Sequence, residues 1–176
     1  MSVAKGWYAY SAPGTWPDCD MIPLGRIAIR GERGKDRMTR LKKEEQVSLM
    51  TFFTIFRSPL MFGGDLPSND SFTLSLLNNT DILNMHKYGS EVRQLFMENG
   101  KVAITSRNSK TGERYLALFN MGDKEVATLS VNLKEFGFSG KYKAKELWTG
   151  ESFKGSDSNF SQQIAPHASM VFSITK

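Results

Sequence analysis

Cysteine and histidine are nearly absent: the 176 residues include one cysteine, Cys19, and two histidines, His86 and His167. One thiol excludes an internal disulfide and any cysteine-rich zinc site, and two histidines so far apart give no histidine cluster, so neither metal nor cofactor is expected. No stretch approaches the roughly 20 apolar residues needed to cross a bilayer, so no membrane partner is expected. The N-terminal residues Met1–Trp7 lack an apolar h-region; no signal peptide is legible in this chain, and the compartment stays open. Acidic residues are scarce between Gly25 and Lys43. Eight basic residues (Arg26 to Lys43) face only Glu32 and Asp36 there, a surplus larger than the whole chain's net charge of +5. Such a run can attract phosphate backbones. Neither an RNA-binding aromatic motif nor zinc-finger spacing accompanies it, so a solvated loop is the simpler reading and nucleic acid is not an expected partner.

What is present suits a packed core: 40% of residues are hydrophobic and 23% charged. Two textures divide the chain. Residues 1–88 mix turns with one strong helix, about Lys42 to Arg57, whose Val47, Leu49, Met50, Phe52, Phe53, Ile55 and Phe56 leave only a narrow polar side. Such a helix expects more than one covering neighbour. Arg57-Ser58-Pro59 stops it, because proline cannot continue the ladder. Short apolar segments at Asp18–Pro23 and Leu60–Gly63 flank it, and a weaker helix is expected over Ser68–Asn78 with Ser68 or Asn69 as N-cap. Strand, helix, strand, helix is the order of α/β folds. Residues 89–176 read as short strands: Val92–Met97, Val102–Asn108, Arg114–Asn120, Val126–Asn132, Tyr142–Leu147 and Ala168–Thr175. Turn residues separate them, as in an antiparallel sandwich. The join at Tyr88-Gly89-Ser90 reads as a turn.

Four segments, in this order, carry a resemblance. They are Ala12-Pro13-Gly14-Thr15-Trp16-Pro17-Asp18-Cys19-Asp20-Met21-Ile22-Pro23-Leu24-Gly25; Glu45-Gln46 through to Arg57-Ser58-Pro59-Leu60-Met61-Phe62-Gly63-Gly64-Asp65-Leu66; Leu76-Leu77-Asn78-Asn79-Thr80-Asp81-Ile82-Leu83; and Glu146-Leu147-Trp148-Thr149-Gly150 with Ile164-Ala165-Pro166-His167-Ala168-Ser169. Together they resemble the C-terminal portion of glycoside hydrolase family 27, the melibiase or α-galactosidase family. The resemblance implies α/β plus all-β: the last two βα units of an incomplete (β/α)8 barrel in residues 1–88, then an antiparallel β-sandwich in residues 89–176. A whole barrel takes about 250 residues. It also implies an α-galactoside as the carbohydrate partner.

Retaining glycosidases need a nucleophile and an acid/base carboxyl about 5–5.5 Å apart. In the family both come from earlier barrel strands, so no catalytic residue is expected in this chain, and the chain alone is expected to be inactive. Asp18 and Asp20, at i and i+2, would share one side of a strand. By resemblance Asp20 contributes to the sugar pocket and is not catalytic; Met21 belongs to the same motif. Trp16 is either a stacking surface for sugar or core, and Asp18 either lines the pocket or anchors the loop. Thr15 stands where many members have histidine. Cys19 reads as a small buried residue, Asp65 as a cap or a strand-end functional group, and His167 as structural. The alternative function is a non-catalytic carbohydrate-binding or partner-packing sandwich, with Tyr142, Trp148, Phe153 and Phe160 as available rings. Lacking barrel neighbours, the helix Lys42–Arg57 and strand Leu60–Phe62 are expected to expose an apolar patch and to favour self-association.

Overall fold

The computed structural model describes residues 4–12, 14–31 and 34–176. Pro13 of the first motif, Glu32 and Arg33 of the basic run, and Met1–Val3 lie outside the described residues. A short helix α1 (Ala4–Trp7) leads to a two-stranded ribbon, β1 (Arg26–Ile27) and β2 (Arg37–Met38), in which Arg26 forms an ion pair with Asp36 at 2.5 Å. Part of the basic run is thus engaged locally.

Three helices follow: α2 (Lys43–Phe56), α3 (Ser71–Asn78) and α4 (Thr80–Tyr88). In α2 the Glu45 side chain reaches back to the Lys42 N–H at 2.6 Å, and Arg57, in the left-handed region at φ 62°, ends the helix. The cap of α3 is Asp70, whose carboxylate accepts from Thr73 N–H at 2.7 Å, rather than Ser68 or Asn69. Helix α4 corrects the expected turn. Asn79 caps a second helix by accepting from Ile82 N–H, and Gly89 passes directly into a strand. Gly89 is required there, since a Cβ would stand 2.6 Å from the Met85 carbonyl oxygen.

The remainder is β. Strands β3 (Gly89–Glu98), β4 (Lys101–Asn108), β5 (Arg114–Asn120), β10 (Ser169–Thr175), β7 (Tyr142–Glu146) and β8 (Ser152–Gly155) form one antiparallel sheet in that spatial order. A ribbon of β6 (Ala127–Asn132) and β9 (Asn159–Ile164) packs on one face as the sandwich's second layer. Over its central strands both faces of the large sheet are covered, so these strands read as nearly continuous apolar runs. On β5, Leu116 and Leu118 meet Leu129, Val131 and Phe160 of the ribbon, while Ala117 and Phe119 meet the helices.

That second face corrects one expectation. Met50, Phe52, Phe53, Ile55 and Phe56 of α2 are buried in one core with Val102, Ile104, Phe119, Val171 and Leu147 of the sheet. The helix is covered by the β layer. Apolar side chains are exposed at Met61, within the segment Leu60–Phe62 where exposure is expected, and at Trp16, Met21 and Leu66 on the flanking segments. Polar ties reinforce the junction: Trp148 Nε1–H donates to Thr51 Oγ1 at 2.8 Å, Ser48 Oγ to the His167 carbonyl at 2.7 Å, and Asn79 Nδ2 to the Leu147 carbonyl at 3.0 Å. The His167 carbonyl serves this junction, and the His167 ring lies 3.4 Å from Asp123.

Candidate functional site

The loop from Ala12 to Gly25 is shaped by its own backbone. Ala12 and Thr15 exchange N–H···O bonds at 3.1 and 2.9 Å, making a tight turn before Trp16. Pro17 is buried and Trp16 is 48% exposed, so Trp16 is not a core residue. The chain does not continue as a regular strand, because Asp20 has φ 70°. Asp20 N–H donates to Asp18 Oδ1 at 2.8 Å, and Met21 N–H to Asp20 Oδ1 at 2.7 Å. Strand alternation therefore does not align the two carboxylates on one side. One oxygen of Asp18 is spent on holding the bend, a use that aspartate side chains make of such turns.

Left-handed backbone is uncommon outside glycine, and where it persists the surroundings hold it. Here the holders are visible. On one side Cys19 N–H donates to Ser58 Oγ at 2.9 Å. On the other, Ile22 pairs in parallel with Phe62: Ile22 N–H donates to the Met61 carbonyl at 2.8 Å and Gly63 N–H to the Ile22 carbonyl at 3.0 Å. Glycine at 64 permits the close approach, since a Cβ there would lie 2.1 Å from the Leu24 carbonyl oxygen. The result presents Trp16, Asp18, Asp20 and Met21 together at the surface, beside the exposed Met61.

Cys19 is half-buried beside Ser58, and burial pushes its thiol up. His86 approaches the same residue, but its Nε2 meets the Ser58 carbonyl oxygen at 2.8 Å, which can only accept. That ring nitrogen is committed as a donor, so the cluster is not a nucleophile with its base. Burial holds the His86 pKa below the usual histidine value, with the nearby Arg57 adding to the effect. A group whose pKa is depressed on folding binds fewer protons in the native than in the unfolded state. Stability is then fully present above about pH 6.5 and falls as acidification protonates the unfolded chain first. The urea midpoint is expected to drop between pH 7 and pH 5, with a shallower drop in His86→Gln; equal slopes in the two proteins would refute this assignment.

Asp65 accepts from Ser68 Oγ, and its N–H donates to the Arg26 carbonyl at 2.8 Å, a loop-fixing role. Among the described residues no three His, Cys, Asp or Glu side chains converge as a metal site would require, and no helix is long and apolar enough to cross a membrane. The aromatic row considered for a binding module is not available as a platform. Phe160 and Tyr142 are buried, Phe153 stacks on Phe160 at 5.8 Å, and the Trp148 indole is tied to Thr51.

Comparison with known proteins fits this geometry. Residues 99–174 match the family described as the alpha galactosidase C-terminal beta sandwich domain. Alpha-galactosidase 2 of Arabidopsis thaliana is 26% identical over 174 residues, which is 97% of this chain and 40% of that protein. Alpha-galactosidase of Oryza sativa subsp. japonica is 23% identical over 173 residues, or 96% of this chain and 38% of the relative. The crystal structure of a GH27 β-L-arabinopyranosidase from Geobacillus stearothermophilus superimposes with a TM-score of 0.93 at 40% identity, covering 99% of this chain and 40% of that one. The chain thus spans about two fifths of the length of these relatives. With an antiparallel sandwich, an isolated parallel bridge between Ile22 and Phe62 and these matches along nearly its whole length, the chain is similar throughout to the C-terminal portion of glycoside hydrolase family 27 enzymes.

Proposed function

We propose that residues 1–88 supply the last two βα units of a (β/α)8 barrel and residues 89–176 its C-terminal β domain, in a retaining α-galactosidase-like glycoside hydrolase. In this reading Asp20 and Met21, flanked by Trp16 and Asp18, form one wall of the sugar pocket. The observation that carries it is the parallel pairing of Ile22 with Phe62 on either side of α2. Parallel strands joined through a helix are the repeating unit of such barrels, whose sites lie at the strands' C-terminal ends. The bend at Asp20 supports a functional role, because a left-handed aspartate is kept against its conformational cost.

The chain alone is inactive, since the two carboxyls of a retaining mechanism come from elsewhere in the barrel. Its substrate is a terminal α-D-galactoside or the corresponding β-L-arabinopyranoside, which keeps the same ring hydroxyls but lacks the hydroxymethyl group. The second choice is favoured by the 40% identity to the arabinopyranosidase. The apolar side chains Trp16, Met21, Met61 and Leu66 are the surface that the rest of the barrel covers. Uncovered, they drive weak self-association, read as a sedimentation coefficient that rises with concentration.

The purified chain is expected to release no nitrophenol from either nitrophenyl glycoside. Supplying the six preceding βα units, fused or co-expressed, is expected to restore turnover. In that assembly Asp20→Ala lowers kcat/KM about 10- to 150-fold, the worth of a hydrogen bond from a charged group. Turnover by the chain alone at an ordinary glycosidase rate would overturn its inactivity. A restored enzyme indifferent to Asp20→Ala would remove the pocket role.

A further inference from the structure

The helix-facing side of the large sheet is not covered along its whole width. Past α4 it opens into a groove toward β8, and the pairing registers fix what lines it. Tyr115, Ser173, Lys145 and Ser152 lie side by side across β5, β10, β7 and β8. The next row on the same face is Thr175, Lys143 and Lys154. Adjoining hollows of about 280, 340 and 490 Å³ follow these rows, a scale that admits linked sugar rings rather than one small ion.

The charges are arranged by position. Near α4, Lys145 is paired with Asp81 at 2.6 Å. In the groove's middle Glu113 accepts from Ser173 Oγ and, among the described residues, meets no cation. At the outer end Lys141, Lys143, Lys154 and Lys176 are exposed, and none makes an ion pair among the described residues. Lys143 and Lys154 are direct cross-strand partners. Like charges so placed destabilise a sheet. Lysine on an edge strand is a usual guard against edge pairing, and that explains Lys154 on β8. It does not explain Lys143, which sits on the interior strand β7 and points from the sheet's face.

We propose that this groove binds an acidic oligosaccharide, its carboxylates held by Lys143 and Lys154 and its hydroxyls by Glu113, Ser173 and Ser152. A carboxylate in the middle of the groove accepts from sugar hydroxyls, whereas a DNA backbone has no hydroxyl to offer it. Tyr115, in the floor of the groove, is buried and presents no face on which a base could stack. This site stands apart from the Trp16–Met21 wall, and its test does not depend on hydrolysis.

The 176-residue chain is titrated calorimetrically with tetragalacturonic acid at low and moderate salt. Saturable binding is expected, weakening steeply with salt as charge neutralisation requires. The double variant Lys143→Ser, Lys154→Ser is expected to weaken it at least tenfold with an unchanged circular dichroism spectrum; both side chains are exposed, so the fold is not at stake. The carboxyl-reduced tetrasaccharide is expected not to bind. Absence of saturation, equal binding of the reduced sugar, an unaffected double variant, or tighter binding of a DNA oligomer of equal charge would each overturn the proposal.

Discussion

Phe119→Ala is expected to loosen the helices and the β layer together, in a single transition. Phe119 has no exposure and stands on β5, where its ring meets Phe52 edge-on at 6.5 Å, and Phe52 stacks on Phe56 at 5.2 Å. Truncating such a ring removes its transfer energy and leaves a cavity, together about 3–5 kcal/mol. A domain's whole stability is about 5–15 kcal/mol, so the midpoint of urea unfolding should fall by roughly a fifth or more. The coupling follows from where the cavity opens, between residues of α2 and of the sheet, beside the Trp148–Thr51 hydrogen bond. Fluorescence of Trp148, far-ultraviolet dichroism and near-ultraviolet dichroism should therefore shift by the same amount. Phe153→Ala is the comparison: that ring is 38% exposed on the other face, and its loss should cost less. If α2 melts first while the sandwich keeps its native signal, the shared core is not the cooperative unit argued here.

The shared core also explains which parts of the fold were legible in the sequence. Helix α2 was plain because ring after ring over one 14-residue span needs burial. What covers it was not, because an apolar circumference states a need for neighbours without naming them; the β layer meets much of it. Strands β4, β5 and β10 were legible because both faces are buried. Strands β8 and β9 were not: Ser152-Phe153-Lys154-Gly155 and Asn159-Phe160-Ser161-Gln162-Gln163-Ile164 carry three apolar residues between them, too few for a period-2 signal. Helix α4 was hidden behind Asn78-Asn79, which reads as an ending, although Asn79 also caps the next helix. At the candidate site the resemblance names residues without stating their arrangement. Alternation along a strand would have aligned Asp18 with Asp20, and the positive φ of Asp20, unmarked by any glycine, breaks that rule.

Removing the Glu146 carboxylate is expected to cost as much as removing a large ring, for a different reason. Glu146 is 4% exposed, and its two oxygens accept three backbone N–H groups: Trp148 at 2.9 Å, Thr149 at 2.7 Å and Val171 at 3.2 Å. One side chain thus ties the turn after β7 to strand β10. Burying a carboxylate is costly unless hydrogen bonds compensate, and here they do. Alanine at this position would leave three donors facing a dry interior, each worth about 1–3 kcal/mol when unpaired. A loss of about 3–5 kcal/mol is expected, with amide-exchange protection failing first at Trp148, Thr149 and Val171. Glutamine keeps the shape and one accepting oxygen, so Glu146→Gln should cost less than Glu146→Ala. Leucine restores buried apolar volume but accepts nothing, so Glu146→Leu should do no better than alanine. That order separates the two explanations of why a carboxylate is buried here. If leucine were as stable as glutamic acid, the position would need only volume, and the three short N–H···O bonds would be incidental to the fold.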